Sequence, residues 1–258
     1  MERCVSENAN LPILKHVLLR VSEGKISLSA TNLEIASRRF IPGKIITEGS
    51  LTIPFSTFYN IVTNVDAERI NLESDAGNLI VKTDTYEARI QAAKSDEFPI
   101  IPQIESRAQV LKINSTVLRD ALSEIVSAAQ YSEIRPEISG VLFDFRFTTL
   151  TLVATDSFRL AHKIITEKEF ESNFENGFRV IIPLKTVHEV IRTFPQNQPI
   201  SFFIDSHQIL FLSEEFELIS RIITGQYPDY EQIVPKSVES ELTISREKFM
   251  SAVRLVAS

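Results

Sequence analysis

One cysteine, Cys4, stands in 258 residues, which excludes an internal disulfide and fits a reducing compartment. Seven scattered glycines are too few to build a phosphate-cradling loop, and no GxSxG, HExxH, CxxC or P-loop pattern occurs. The four histidines, His16, His162, His188 and His207, never stand at ligand spacing with another His, Cys or carboxylate. They read as structural or surface residues, with no metal and no cofactor. Glu214 and Glu215 are adjacent in a segment that reads as strand, so they are expected on opposite faces rather than paired for acid–base work. Catalysis lacks residues, and a non-enzymatic protein is expected.

Long apolar runs are also missing. None approaches the roughly 18 residues of a membrane span, and the start, MERCVSENAN, lacks the basic-then-apolar layout of a signal peptide. A cytoplasmic protein without a membrane partner is expected. The 43% apolar and 24% charged composition is that of a folded globular chain, and its length allows two ordinary domains. The net charge of -7 opposes nucleic-acid binding if spread evenly, because phosphate contact needs clustered Lys and Arg. A duplex-binding face would have to be local.

What the chain does have is itself, twice. Shifted by 124, Pro12 to Asn32 falls on Pro136 to Asp156 with six of 21 positions identical, against about one by chance. At an offset of 129, LTIPFSTFYNIV matches VIIPLKTVHEVI, and Phe98-Pro99 matches Tyr227-Pro228. At 131, Leu111 to Ser127 matches Leu242 to Ser258. The expectation is an incomplete first unit without its opening strand and most of its first helix, a complete second unit, and a stub of a third.

Within a unit, Val117, Leu118, Ala121, Leu122, Ile125, Val126 and Ala129 recur at helical spacing after the turn-prone Asn114 and Ser115. A second helix is predicted from Pro183, with Leu184, Val187, Val190, Ile191 and Phe194 on one side, and Pro54 to Val62 repeats it. GVLFDF, TLTLVAT, FRLAHKII, PISFFID, QILFLSE and FELISRIIT read as short strands between turns. Each unit is therefore α+β, with many antiparallel strands and two helices.

Three ordered signals, LPIL...LSATNLEIA, RPEISGVLF...VATDSFRLA and YPDYEQIVP, resemble the beta sliding clamps of bacterial DNA polymerase III over essentially the whole chain. The resemblance implies repeated clamp domains, with sheets outside and two helices each lining the inner face of a ring. It divides the chain into residues 1–107, 108–237 and 238–258. It implies a processivity factor that encircles duplex DNA without reading sequence, a homodimeric ring, a clamp loader, and DNA polymerase III and repair proteins docked through linear peptides. DNA contact then falls to Lys185 and Arg192, seven residues apart on one helix, and to Arg119 and Arg135. The family's tyrosines beside Arg135 correspond to Pro136 and Glu137, and its early arginine to Asn8.

Carried over by position, the peptide groove comprises Ile138, Thr155, Asp156, Ser157, Phe158, Arg159, Leu160, Pro228, Gln232 and Ile233, with Pro235 nearby. Phe158 and Gln232 replace the His and Arg common there. Because Ala30-Thr31 repeats Ala154-Thr155 outside any groove, Thr155 also fits a purely structural role. A peptide-binding module acting without DNA is the alternative reading.

Overall fold

The computed structural model describes residues 4–5, 11–235, 237 and 239–257. Asn8, Val238 and Ser258 lie outside the described residues. Two compact units are present, one running to Tyr227 and the other from Pro228 onward.

The first unit holds two successive copies of the α+β repeat. Strands β1 (His16–Ser22), β2 (Lys25–Thr31), β3 (Ile35–Ile41) and β4 (Gly49–Pro54) lead into helix α1 (Phe55–Asn64). A meander of β5 (Asn71–Asp75), β6 (Asn78–Lys82) and β7 (Glu87–Gln91) follows, and β8 (Ala93–Lys94) returns to pair with β4. The second copy opens with β9 (Leu111–Asn114) and α2 (Ser115–Ile125). It continues through β10 (Gly140–Phe145), β11 (Thr149–Thr155), β12 (Leu160–Thr166), β13 (Phe170–Ser172) and β14 (Phe178–Pro183). Helix α3 (Leu184–Thr193) and the strands β15 (Pro199–Ile204), β16 (Gln208–Leu212) and β17 (Phe216–Arg221) complete it. Thus α1 and α3 are counterparts, as are β7 and β17.

Side-chain periodicity places the core. On β10, Val141, Phe143 and Phe145 point to one face and are buried. Phe143 meets Phe202 and Phe211 edge-on, at centroid distances of 6.2 and 6.4 Å, which joins β10 to β15 and β16 across the core. Helix α2 starts where the Asn114 side chain accepts the Thr116 N–H at 2.9 Å. It then buries Leu118, Ala121, Leu122 and Ile125; a fully buried leucine or isoleucine contributes about 1.5–3 kcal/mol.

Four local expectations need correction. After Ile125 the chain tightens into a 3-10 turn, Val126–Ala128, so Ala129 lies beyond the helix. Pro183 has ψ 143°, which is extended: it closes β14 and caps α3 from outside. Glu214 and Glu215 form the exposed bend between β16 and β17 rather than opposite faces of a strand. Phe158 and Arg159 also sit in a turn, and β12 begins only at Leu160.

That turn occurs twice with the same hydrogen bonds. Thr31 Oγ1 donates to the Ile35 carbonyl and accepts the Leu33 N–H, while Asn32 Oδ1 accepts the N–H groups of Glu34 and Ile35. Thr155 Oγ1 donates to the Arg159 carbonyl and accepts the Ser157 N–H, while Asp156 Oδ1 accepts from Phe158 and Arg159. Leu33 and Ser157 both take positive φ, 74° and 78°. The repeated threonine is therefore the clasp of a turn whose backbone needs side-chain acceptors to hold it.

The two repeats share one sheet. Ten strands run in the order β13-β9-β15-β16-β17-β3-β2-β1-β4-β8, and the seam is the antiparallel pair β17 and β3. On one side of the seam, Glu217 is only 9% exposed, with Arg38 Nη1 at 2.9 Å and Arg107 Nη2 at 3.9 Å. Ile104, from the segment linking the repeats, packs on that side with Ala36, Phe203, Leu210 and Ile219. On the other side Ser220 and Thr186 share a buried hydroxyl hydrogen bond of 2.6 Å, tying the seam to α3. Cys4 is buried in the main core, and desolvation pushes its thiol pKa up.

The second unit contains α4 (Tyr230–Ile233) and α5 (Arg246–Val256). Each end of α5 lies 131 residues after the corresponding end of α2, as the sequence match predicts. Residues 242–245, which match strand β9, carry no regular structure. Phe249 and Val253 on α5 are exposed.

Replacing Arg38 with Ala strips the buried Glu217 of its nearer cation and should lower stability by about 3 kcal/mol, read as a shift in the denaturant midpoint. Thr155→Val and Thr31→Val should each cost about 1–2 kcal/mol by the same assay. A near-zero effect at either threonine would deny the clasp.

Candidate duplex and peptide interfaces

Helix α3 turns its buried face, Thr186, Val187, Glu189 and Val190, toward the protein and leaves Lys185, His188 and Arg192 exposed. These three stand at i, i+3 and i+7, on one stripe. Lys185 and Arg192 are the expected duplex contacts on this helix, whereas His188 is expected only as a structural or surface residue. The i+3 spacing is the signal that adds it to the stripe. At the matching positions α1 carries Ser56, Tyr59 and Thr63, and no residue of α1 is charged. Positive charge is thus a property of α3, not of the repeat.

Each predicted cation has a carboxylate beside it. Lys185 Nζ lies 3.2 Å from Glu34 Oε2, and Arg192 Nη2 donates to both Glu189 oxygens at 2.9 Å. Arg119, on α2, has Asp120 Oδ1 at 3.6 Å. In its satisfying amide orientation, the Gln196 side-chain oxygen accepts from both terminal Arg119 nitrogens at 3.0 and 3.2 Å. Arg135 Nε donates to Glu137 Oε1 at 3.0 Å and its Nη1 donates to Ser157 Oγ at 2.9 Å. Helices α2 and α3 pack together, so Arg119 lies beside the end of α3, whereas Arg135 belongs with the β11–β12 turn.

That turn gathers most of the proposed groove residues. Ile138 is buried in the 3-10 turn Pro136–Ile138, Thr155 is buried at the end of β11, and Leu160 is half-buried at the start of β12. Backbone N–H groups of Arg159 and Phe158, then the Arg159 side chain, hold the Asp156 carboxyl below its usual pKa. The clasp is therefore intact above the ordinary carboxylate range and loosens as pH falls through the lowered value. Phe158 projects from the tip, 98% exposed. Pro228, Gln232 and Ile233 belong to the second unit, where Gln232 Nε2 donates to Asp229 Oδ2 at 2.7 Å and Ile233 is exposed. Pro235 is exposed there too.

Among the described residues no cluster of His, Cys, Asp and Glu could hold a metal ion, and no helix is long and apolar enough to cross a membrane. The arrangement offers ion pairing along α3 and an apolar, hydrogen-bonding turn at Phe158.

Residues 1–102 match the DNA polymerase III beta subunit, N-terminal domain, and residues 112–229 match its central domain. The beta sliding clamp of Chlamydia muridarum is 26% identical over 258 residues, all of this chain and 69% of the relative. The structure of the Bacillus subtilis DNA polymerase sliding clamp superposes with a TM-score of 0.91 at 24% identity, covering 98% of this chain and 68% of that one. The Helicobacter pylori beta clamp, solved bound to a DNA ligase peptide, gives a TM-score of 0.86 at 27% identity, covering 99% and 71%. The chain thus spans about two thirds of the length of these relatives, and the two domain matches, with relatives aligned along its whole length, show that it belongs to the DNA polymerase III beta-subunit family, the beta sliding clamps.

Proposed function

We propose that this chain acts as a non-catalytic sliding clamp, a processivity factor that surrounds duplex DNA and carries DNA polymerase and repair proteins docked through linear peptides. Residues 1–107 and 108–237 serve as the first and second clamp domains, and residues 238–258 open the third. The exposed Lys185–His188–Arg192 stripe on α3 carries the DNA half of this reading. It presents positive charge along one exposed helix face, as phosphate contact that is indifferent to sequence requires. A clamp loader and a cytoplasmic setting complete the reading, and the homodimeric ring is the arrangement of the family.

Phe158 supports the docking half. A fully exposed aromatic on a turn clasped by five hydrogen bonds is an anchor held in place before any partner arrives, which lowers the ordering cost of binding. The same feature favours the second reading, a peptide-docking module that does not contact DNA.

Lys185→Glu and Arg192→Glu should each weaken binding to unrelated duplexes alike and flatten the salt dependence by about one unit in log–log slope; unchanged binding would leave only the docking module. Phe158→Ala should weaken binding of a fluorescent ligase-type clamp peptide by about 1–2 kcal/mol without shifting the denaturant midpoint.

A further inference from the structure

All four cations assigned to duplex contact are already held by carboxylates of this chain, and the pairs on α3 differ in kind. Lys185 and Glu34 are 69% and 65% exposed, an open pair worth little by itself. Arg192 is 44% exposed whereas the Glu189 side chain is 4% exposed. Glu189 takes Arg192 Nη2 with both oxygens at 2.9 Å and has a longer contact, 3.4 Å, to Thr193 Oγ1. Packing fixes the carboxylate, and the guanidinium in front of it faces outward.

A phosphate arriving at Arg192 meets a donor already engaged. Carboxylate and phosphate both accept charge-assisted hydrogen bonds of similar geometry, so contact exchanges one anion for another. The cation never stands without a counter-charge, and each contact is shallower than a free arginine would give. With α1 bare of charge, few deep contacts remain to resist movement along a duplex.

We infer that Glu189 and Glu34 set duplex affinity, acting as built-in stand-ins for phosphate from which Arg192 and Lys185 must be exchanged. This rests on the reading that the α3 stripe faces DNA. The two are positioning residues: they act on DNA only through the cations they hold.

The test uses the full chain and a fluorescein-labelled duplex of arbitrary sequence, with anisotropy titrations over a range of salt. Glu189→Gln and Glu34→Gln should each tighten binding about threefold to tenfold and steepen the log–log salt slope by up to about 0.9 per phosphate newly engaged. The Glu189→Gln gain should vanish in an Arg192→Gln background, because exchange requires that cation, whereas a general gain from one lost negative charge would persist there. Persistence overturns the inference. So does wild-type affinity of both glutamine variants when Lys185→Gln and Arg192→Gln weaken binding, since the cations would then reach phosphate unhindered. If none of the four variants alters binding, the stripe does not face DNA, and the functional reading fails with the inference. Should Glu189→Gln not fold, the exposed Glu34→Gln, with Lys185→Gln as its background, decides alone.

Discussion

The β3–β17 ladder is the constraint on which the other features depend. A sheet edge with unpaired N–H and C=O groups invites further pairing, and here the last strand of the second repeat satisfies the third strand of the first. Around that backbone join, Arg38 and Arg107 neutralise Glu217 on one side while Ser220 grips Thr186 on the other. The α3 stripe therefore takes its bearing from a seam between repeats, and Lys185 reaches across it to Glu34.

Much of this was legible in the sequence, because the repeat supplies two readings of each element. A proline before an apolar helix, at Pro54 and again at Pro183, marked α1 and α3, and the fixed offset from α2 placed α5 to the residue. Periodicity could not see the competition at Phe158 and Arg159. Their apolar-alternating pattern fits a strand, but Asp156 captures both N–H groups and bends the chain first. Glu214 and Glu215 likewise obey the bend that closes the β16–β17 hairpin. The seam was illegible for a different reason: pairing between strands so distant in the chain leaves no local signature.

The site divides in the same way. Lys185 and Arg192 come from the family resemblance, with helical spacing setting them on one face, and Glu189 to Arg192 is an i,i+3 pair that spacing also allows. Glu34, 151 residues from Lys185, becomes its partner only through the fold. Thr155 is a clasp whatever else it lines, because Thr31 makes the same bonds where no groove residue was assigned.

One buried atom gives the first repeat an intrinsic gauge. Cys4 is 1% exposed, lies within electrostatic reach of Glu189 and Arg192, and has its ionisation suppressed by burial. A thiol must be both uncovered and ionised to be alkylated. With one sulfhydryl in the chain, the rate at which native protein consumes a thiol reagent counts how often the core beneath α3 breathes.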